Sequence, residues 1–188
     1  MNTALIVIDM QNGFLSPCSP LYIAGAPATV PACRQVIAFC RAVLVPVFFV
    51  TRTYTAETVE KTRYAAWESG GKPLSPECVP ELSVEMPFEV LPSDYHLVKP
   101  RYSAFFSTGL DLLLRRLGVK RIVLAGTTTP NCIRTTAYDG ISLDYDVTVL
   151  SDCTSSATEE IQEANLRDMA RVGVDILTAE QWMQVFLR

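Results

Sequence analysis

Short apolar runs, each closed by polar residues, punctuate the chain: Ala4 to Ile8 before Asp9, Leu44 to Val50 before Thr51-Arg52, Tyr95 to Val98 before Lys99, Arg121 to Ala125 before Gly126, Val147 to Leu150 before Ser151-Asp152, and Val174 to Leu177 before Thr178. They are rich in β-branched residues and lack the polar alternation of a strand with one wet face. This pattern predicts strands buried on both faces, as in a parallel sheet. Helical spacing fills the intervals Pro31 to Ala42, Thr108 to Leu117, Pro130 to Ser142, Thr158 to Val172 and Ala179 to Leu187. Strand and helix alternate, so a three-layer α/β domain is expected. Ser156-Ala-Thr-Glu159 and Thr178-Ala-Glu-Gln181 read as capping boxes, and Gly118 and Gly173 close helices ahead of the next strand.

The stretch from Thr53 to Asp94 breaks this rhythm. It holds Pro73, Pro76, Pro80, Pro87 and Pro92, with weak periodicity only around Thr58 to Trp67. A long irregular segment in a compact domain is commonly a lid or binding loop, so substrate selection is expected partly here, at about 53–94.

Composition narrows the picture. With 188 residues, 49% hydrophobic and 19% charged, the chain suits one domain over 1–188 with a substantial core. A net charge of -4 with both signs interleaved offers no positive field for nucleic acid or an anionic membrane surface. The first apolar run is too short to span a membrane and lacks the basic flank of a signal peptide. A soluble cytoplasmic protein is expected. Cysteines 18, 33, 40, 78, 132 and 153 show no C-x-x-C pairing, so thiols rather than disulfides are expected.

Ligands of open α/β sheets bind beyond the carboxyl ends of the strands, where Asp9, Arg52, Lys99 and the turn from Gly126 to Cys132 all fall. The segment Arg121-Ile-Val-Leu-Ala-Gly-Thr-Thr-Thr-Pro-Asn-Cys132 runs from buried strand through a turn into a helix, with Thr129 as N-cap and Pro130 at the first helical position. Cys132 then lies in the first turn, where unpaired amides and the helix dipole would lower its pKa and favour a thiolate. Alternatively, it is a small packing residue like the other cysteines. A nucleophilic thiol needs a base and a compensating cation, for which Asp9 and Lys99 are the strand-end candidates. Taken singly, Asp9 also fits an ordinary turn and Lys99 a solvated strand terminus.

Ala4-Leu-Ile-Val-Ile-Asp9-Met-Gln11-Asn-Gly-Phe14 resembles the opening signature of the isochorismatase-like cysteine hydrolases. Lys99-Pro-Arg-Tyr-Ser-Ala-Phe105 resembles their lysine motif, and Gly126-Thr-Thr-Thr129-Pro-Asn-Cys132 their nucleophile turn. The three occur in the family's order, and the resemblance covers nearly the whole chain. It implies a Rossmann-like six-stranded parallel sheet of order 3-2-1-4-5-6 and a catalytic triad of Asp9, Lys99 and Cys132. It also implies a cis peptide at Thr127-Thr128 and an oxyanion hole from the amides of Thr128 and Cys132. The implied reaction is hydrolysis of a small amide, carbamoyl or ureido C–N bond through a thioester, by a homo-oligomer (dimer or tetramer).

Nicotinamidase-like members build a metal site from an aspartate and histidines near the end of the second strand. This chain has Thr51-Arg-Thr-Tyr54 there and His96 as its one histidine, so neither metal nor other cofactor is expected, and His96 receives no role. Phe14, Tyr102 and Trp67 are candidates for lining a substrate pocket, although aromatic residues near sheet edges also serve as core. Arg52 and Arg101 read as solvated charges or as receivers of a substrate carboxylate. The run Trp182 to Leu187 suits either core cover or an interface. Two other activities stay open: isochorismatase-type vinyl ether hydrolysis, and a thiol redox role in which Cys153 or another thiol resolves oxidised Cys132. A non-catalytic scaffold is a further alternative, which intact Asp9, Lys99 and Cys132 argue against.

Overall fold

The computed structural model describes residues 2–19, 21–54, 59, 61 and 85–188. Trp67, and most of the segment expected to act as a lid, lie outside these described residues. The strands are β1 (Thr3–Ile8), β2 (Val47–Arg52), β3 (Tyr95–Lys99), β4 (Arg121–Thr127), β5 (Asp146–Ser155) and β6 (Asp175–Leu177). They form one sheet of order β3-β2-β1-β4-β5-β6, parallel at every pairing, in agreement with the expected order. The helices are α1 (Asn12–Leu15), α2 (Ala26–Ala42), α3 (Leu110–Arg116), α4 (Arg134–Ser142), α5 (Glu159–Arg171) and α6 (Ala179–Phe186), and a π-helical turn over Thr129–Ile133 leads into α4.

Alternate residues of the central strands feed two cores, which is why the runs are apolar without a break. Ala4, Ile6, Ile8, Phe48, Val50, Ile122 and Leu124 pack with Leu110 and Leu114 of α3, Ala137 of α4 and Met169 of α5. Leu5, Val7, Val47, Phe49, Val123 and Ala125 pack on the other face with Val36 and Ile37 of α2 and Trp182 of α6. The carboxy-terminal run therefore covers the sheet: Phe39 stands edge-on to Trp182 and to Phe186 at 5.8 and 5.7 Å. Its other side leaves Val185 and Leu187 exposed.

Several boundaries depart from the expectation. Helix α2 begins at Ala26, ahead of Pro31, because Pro27 sits in the first turn and Pro31 removes only one helical N–H. Helix α5 is capped by Thr158, whose side chain accepts from the amide of Ile161 at 3.3 Å. Ser156 is therefore not the cap: the helix starts at Glu159, and Thr158, with extended backbone, holds the position before it. The box at Thr178 and Gln181 forms as expected. Strand β5 does not stop at Leu150. After a register shift it resumes beside β4, pairing Thr154 with Gly126 and Ser155 with Thr127.

Candidate active site

Strands β1, β3 and β4 deliver Asp9, Lys99 and the Cys132 turn to one end of the sheet. Asp9 follows the last residue of β1 with φ of 52°, which turns its side chain off the strand path. Lys99 ends β3. Beyond β4, the Thr127-Thr128 peptide bond is cis, and the following turn carries Cys132. The amide of Ile133 bonds the carbonyl of Thr128 at 3.2 Å, a span of five residues that makes the turn wide. Thr128, not Thr129, holds the N-cap position, and no side chain caps it. The Thr129 hydroxyl instead donates to the Ser155 carbonyl at 3.1 Å. The Ser155 hydroxyl donates to Thr127 Oγ1 at 3.1 Å, so the unforeseen extension of β5 buttresses this turn.

The three side chains meet. Lys99 Nζ lies 2.7 Å from Asp9 Oδ2 and donates to Cys132 Sγ at 3.4 Å and to the Arg101 carbonyl at 3.0 Å. The ammonium thus donates two hydrogen bonds and lies at ion-pair distance from the carboxylate that offsets its charge. Asp9 and Lys99 are fully buried, and Cys132 is 5% exposed. Among the described residues, the Asp9 oxygens face no other hydrogen-bond donor than the lysine and the thiol. A relay fixes the separation of the two motifs: the amide of Ala104 donates to Thr136 Oγ1 at 2.9 Å, and that hydroxyl donates to the Cys132 carbonyl at 2.6 Å.

Burial, the largest influence, pushes the Cys132 thiol up to about 12, with the Asp9 charge adding to the rise and Lys99 and Arg52 opposing it. The expected thiolate is therefore not the resting form. Withdrawal from water outweighs whatever a wide single turn supplies by its dipole. In the absence of substrate, alkylation of Cys132 by a small neutral reagent should accelerate steadily as pH rises from 7 towards 11. Rate measurement with peptide mapping checks this, and a plateau at neutral pH would contradict a high thiol pKa.

The remaining candidates separate. Phe14 joins Leu21, Tyr54 and Val59 in a small core, with its ring 6.2 Å from that of Tyr54. Tyr102 lies over the Arg52 guanidinium at 4.9 Å, and Tyr54 lies over it at 4.8 Å. Arg52 is only 1% exposed, so it is not a solvated charge. Gln11 was also missed: its side chain accepts from the Arg52 amide at 2.7 Å and donates to the Arg52 carbonyl at 3.0 Å. A glutamine two residues after Asp9, beside a strand that ends in arginine, was the available signal. His96 is exposed and hydrogen-bonds Thr51 at 2.9 Å. Among the described residues, no three His, Cys, Asp or Glu side chains gather as metal ligands, and no helix is long and apolar enough to cross a membrane. Cys153 belongs to the core on the opposite face of the sheet from Cys132. Its near neighbour is Cys33, whose thiol donates to the Cys153 carbonyl at 3.5 Å. That placement removes it as a resolving partner.

The isochorismatase domain family model matches residues 3–181. This chain belongs to the isochorismatase family. A probable inactive nicotinamidase of Arabidopsis thaliana is 36% identical, over 97% of this chain and 95% of that protein. The ureidoacrylate amidohydrolase RutB of Pantoea ananatis is 35% identical, over 86% of this chain and 72% of that enzyme. An isochorismatase family protein from Desulfovibrio vulgaris superposes with a TM-score of 0.89 at 37% identity, covering 100% of this chain and 99% of that one. Among isochorismatase-family relatives are amidohydrolases of non-peptide C–N bonds.

Proposed function

We propose that this isochorismatase-family chain acts as one unit to hydrolyse a small amide, carbamoyl or ureido C–N bond, with Asp9, Lys99 and Cys132 as its triad. The carrying observation is the buried ammonium of Lys99, in contact with both the Asp9 carboxylate and the Cys132 sulfur. Amidohydrolase relatives support the bond type.

Because the thiol rests protonated, sulfur attack on the substrate carbonyl carbon proceeds as its proton passes to Asp9. The carbonyl electron pair moves onto oxygen, where the amides of Thr128 and Cys132, both within the nucleophile turn, are assigned to receive it. Collapse breaks the C–N bond, and the nitrogen leaves with the proton held by Asp9. Water then surrenders a proton to Asp9 and attacks the thioester. The C–S bond breaks, and the sulfur recovers its proton. Lys99 holds the carboxylate in place and balances its charge throughout. Phe14 and Tyr102 are proposed to shape the pocket, Phe14 through its contact with Tyr54.

Free thiols at Cys33, Cys40, Cys132 and Cys153 suit a reducing cytoplasm. Exposed Val185 of α6 and Leu187 just beyond its end support assembly into a homo-oligomer.

The test is intact-protein mass spectrometry after brief exposure to a panel of small amides and ureides, beside a Cys132→Ala variant and an ammonia-release assay. An acyl-sized adduct on the wild type alone, with matching ammonia release, is expected. Neither adduct nor ammonia across the panel would remove the hydrolase reading and favour a non-catalytic role.

A further inference from the structure

Arg134 follows the nucleophile turn directly, two residues after Cys132, and opens α4. Its guanidinium donates to Asn165 Oδ1 at 3.0 Å and to Asp168 Oδ2 at 2.5 Å, and lies over the Tyr138 ring at 5.2 Å. The Tyr138 hydroxyl donates to the same Asp168 oxygen at 3.1 Å, so this carboxylate already serves two donors from α4. Beside it, Arg134, Ala164, Asn165, Arg167, Asp168 and Arg171 line an open cavity of about 220 Å³, and Asp9, Lys99 and Cys132 do not border it. At about 30 Å³ per water, such a space takes a tetrahedral oxyanion with part of its hydration shell.

Charge is out of balance there. Three guanidinium groups face one carboxylate, on a chain whose net charge is -4. Among the described residues, Arg167 and Arg171 take part in no ion pair or side-chain hydrogen bond. Arg171 lies in the last turn of α5, where the negative end of the helix favours a cation but supplies only about half a charge. Together with Asp168, that leaves about one and a half positive charges unmatched. A guanidinium keeps its charge at any working pH, so loss of a proton cannot remove the excess. A phosphoryl group carries about -1.5 to -2 at neutral pH and matches it. Its oxygens also suit the forked donors of arginine.

We propose that this cavity binds a phosphate-type oxyanion, free or as a phosphate monoester, and that its occupancy steadies the nucleophile turn. The bound oxygens join Arg167 and Arg171 of α5 to Arg134, adding ties between that helix and the residue that ends the turn. Cys132 is 5% exposed, so a reagent reaches it through local opening, which a ligand bound only to the closed form opposes. The site is separate from the triad and stands whether or not the chain is a hydrolase.

The test is calorimetric titration of the full chain with inorganic phosphate, phenyl phosphate and sodium nitrate at constant ionic strength. Saturable one-to-one binding of both phosphates, and none of nitrate, is expected. Phenyl phosphate binding the tighter would identify a monoester as the ligand, and inorganic phosphate binding the tighter would identify the free ion. Arg167→Gln and Arg171→Gln should each weaken binding by roughly tenfold, the scale of one hydrogen bond to a charged group. Both side chains are exposed, so neither change should disturb the fold. Arg188→Gln, outside the cavity, should bind as the wild type does. In a second measurement, phosphate at twice its Kd should slow alkylation of Cys132 by iodoacetamide by about threefold, the factor 1 + [L]/Kd for an open form that does not bind. The double variant Arg167→Gln, Arg171→Gln should show no slowing. Undiminished binding in the double variant, or slowing that persists in it, would put the anion elsewhere and overturn the proposal. Nitrate binding as tightly as phosphate, or no saturable binding at all, would show only diffuse attraction to surface charge and overturn it too. Binding without slowing would overturn the link to the nucleophile turn.

Discussion

Lys99→Met is expected to lower the stability of the protein by about 3–5 kcal/mol, the usual result of stranding one member of a buried ion pair. Asp9 is fully buried, and its partner at 2.7 Å is this ammonium. Methionine matches the length of the lysine stem, so little packing is lost and the penalty falls on the carboxylate left in the interior. That reasoning fixes the sign of the next step: removing the second charge with Asp9→Asn in the Lys99→Met background should restore most of the loss, because a neutral pair carries no buried charge. The two residues are in direct contact, so their effects should couple strongly in a double-mutant cycle. Urea midpoints of the wild type, both single variants and the double variant read the cycle. A double variant no more stable than Lys99→Met would show that the ion pair is not what holds this end of the sheet. Turnover should be lost in all three variants, since each lacks the base or the cation that orients it.

The arrangement explains why a cysteine can be both buried and useful. A thiol pushed up to about 12 is inert towards casual oxidants and electrophiles at neutral pH. The carboxylate beside it raises the pKa further, yet is the same group to which the proton must pass. Activation is thus tied to a bound carbonyl and to the local charge balance set by Lys99 and Arg52, rather than stored as a standing thiolate.

The layout of the sheet was legible because a strand buried on both faces, as β1, β2 and nearly all of β4 are, must be apolar throughout. The expectation fails for β3, an edge strand that leaves His96 and Val98 exposed, although Lys99 at its end is buried. Asp9, Lys99 and Cys132 could be placed at strand ends because an apolar run precedes each. Other features depended on tertiary facts that local pattern does not carry. The extension of β5 past Ser151-Asp152 looks like a turn in sequence, yet Asp152 caps α6 by accepting from the amide of Ala179 at 2.8 Å. The strand then resumes with Thr154 and Ser155, whose hydroxyls and carbonyls bind other polar groups rather than apolar neighbours. Arg52 read as a surface charge because the rings that cover it come from Tyr54 and from Tyr102, the latter fifty residues away. The thiol's protonation was misjudged because a helix start is visible in sequence, whereas the depth to which the fold buries it is not. Ser156 and Thr158 both offer a hydroxyl ahead of Glu159. Only the backbone path decides which becomes the cap.

Gly126→Ala is expected to lower stability by more than about 4 kcal/mol, reaching the range where folding itself fails. A Cβ at this position would lie 1.9 Å from the Ile8 carbonyl oxygen and 2.7 Å from the Ile8 nitrogen. Both are backbone atoms of the adjoining strand, which cannot move without breaking the β1 and β4 pairing. The residue also has φ of 120°, a region that only glycine occupies without strain. Two independent penalties therefore fall on one methyl group, and the atoms in its way all belong to Ile8, the residue before Asp9. Gly140→Ala is the internal comparison. There the added Cβ would meet the ends of the Ile122 and Val147 side chains at 2.8 and 3.1 Å. Those ends can shift, and alanine favours the helix, so the net cost should stay below about 2 kcal/mol. Thermal and urea unfolding of the two variants side by side separate the cases. If Gly126→Ala folds with stability close to that of Gly140→Ala, the close approach of β4 to the end of β1, and with it the placement of the nucleophile turn beside Asp9, is wrong.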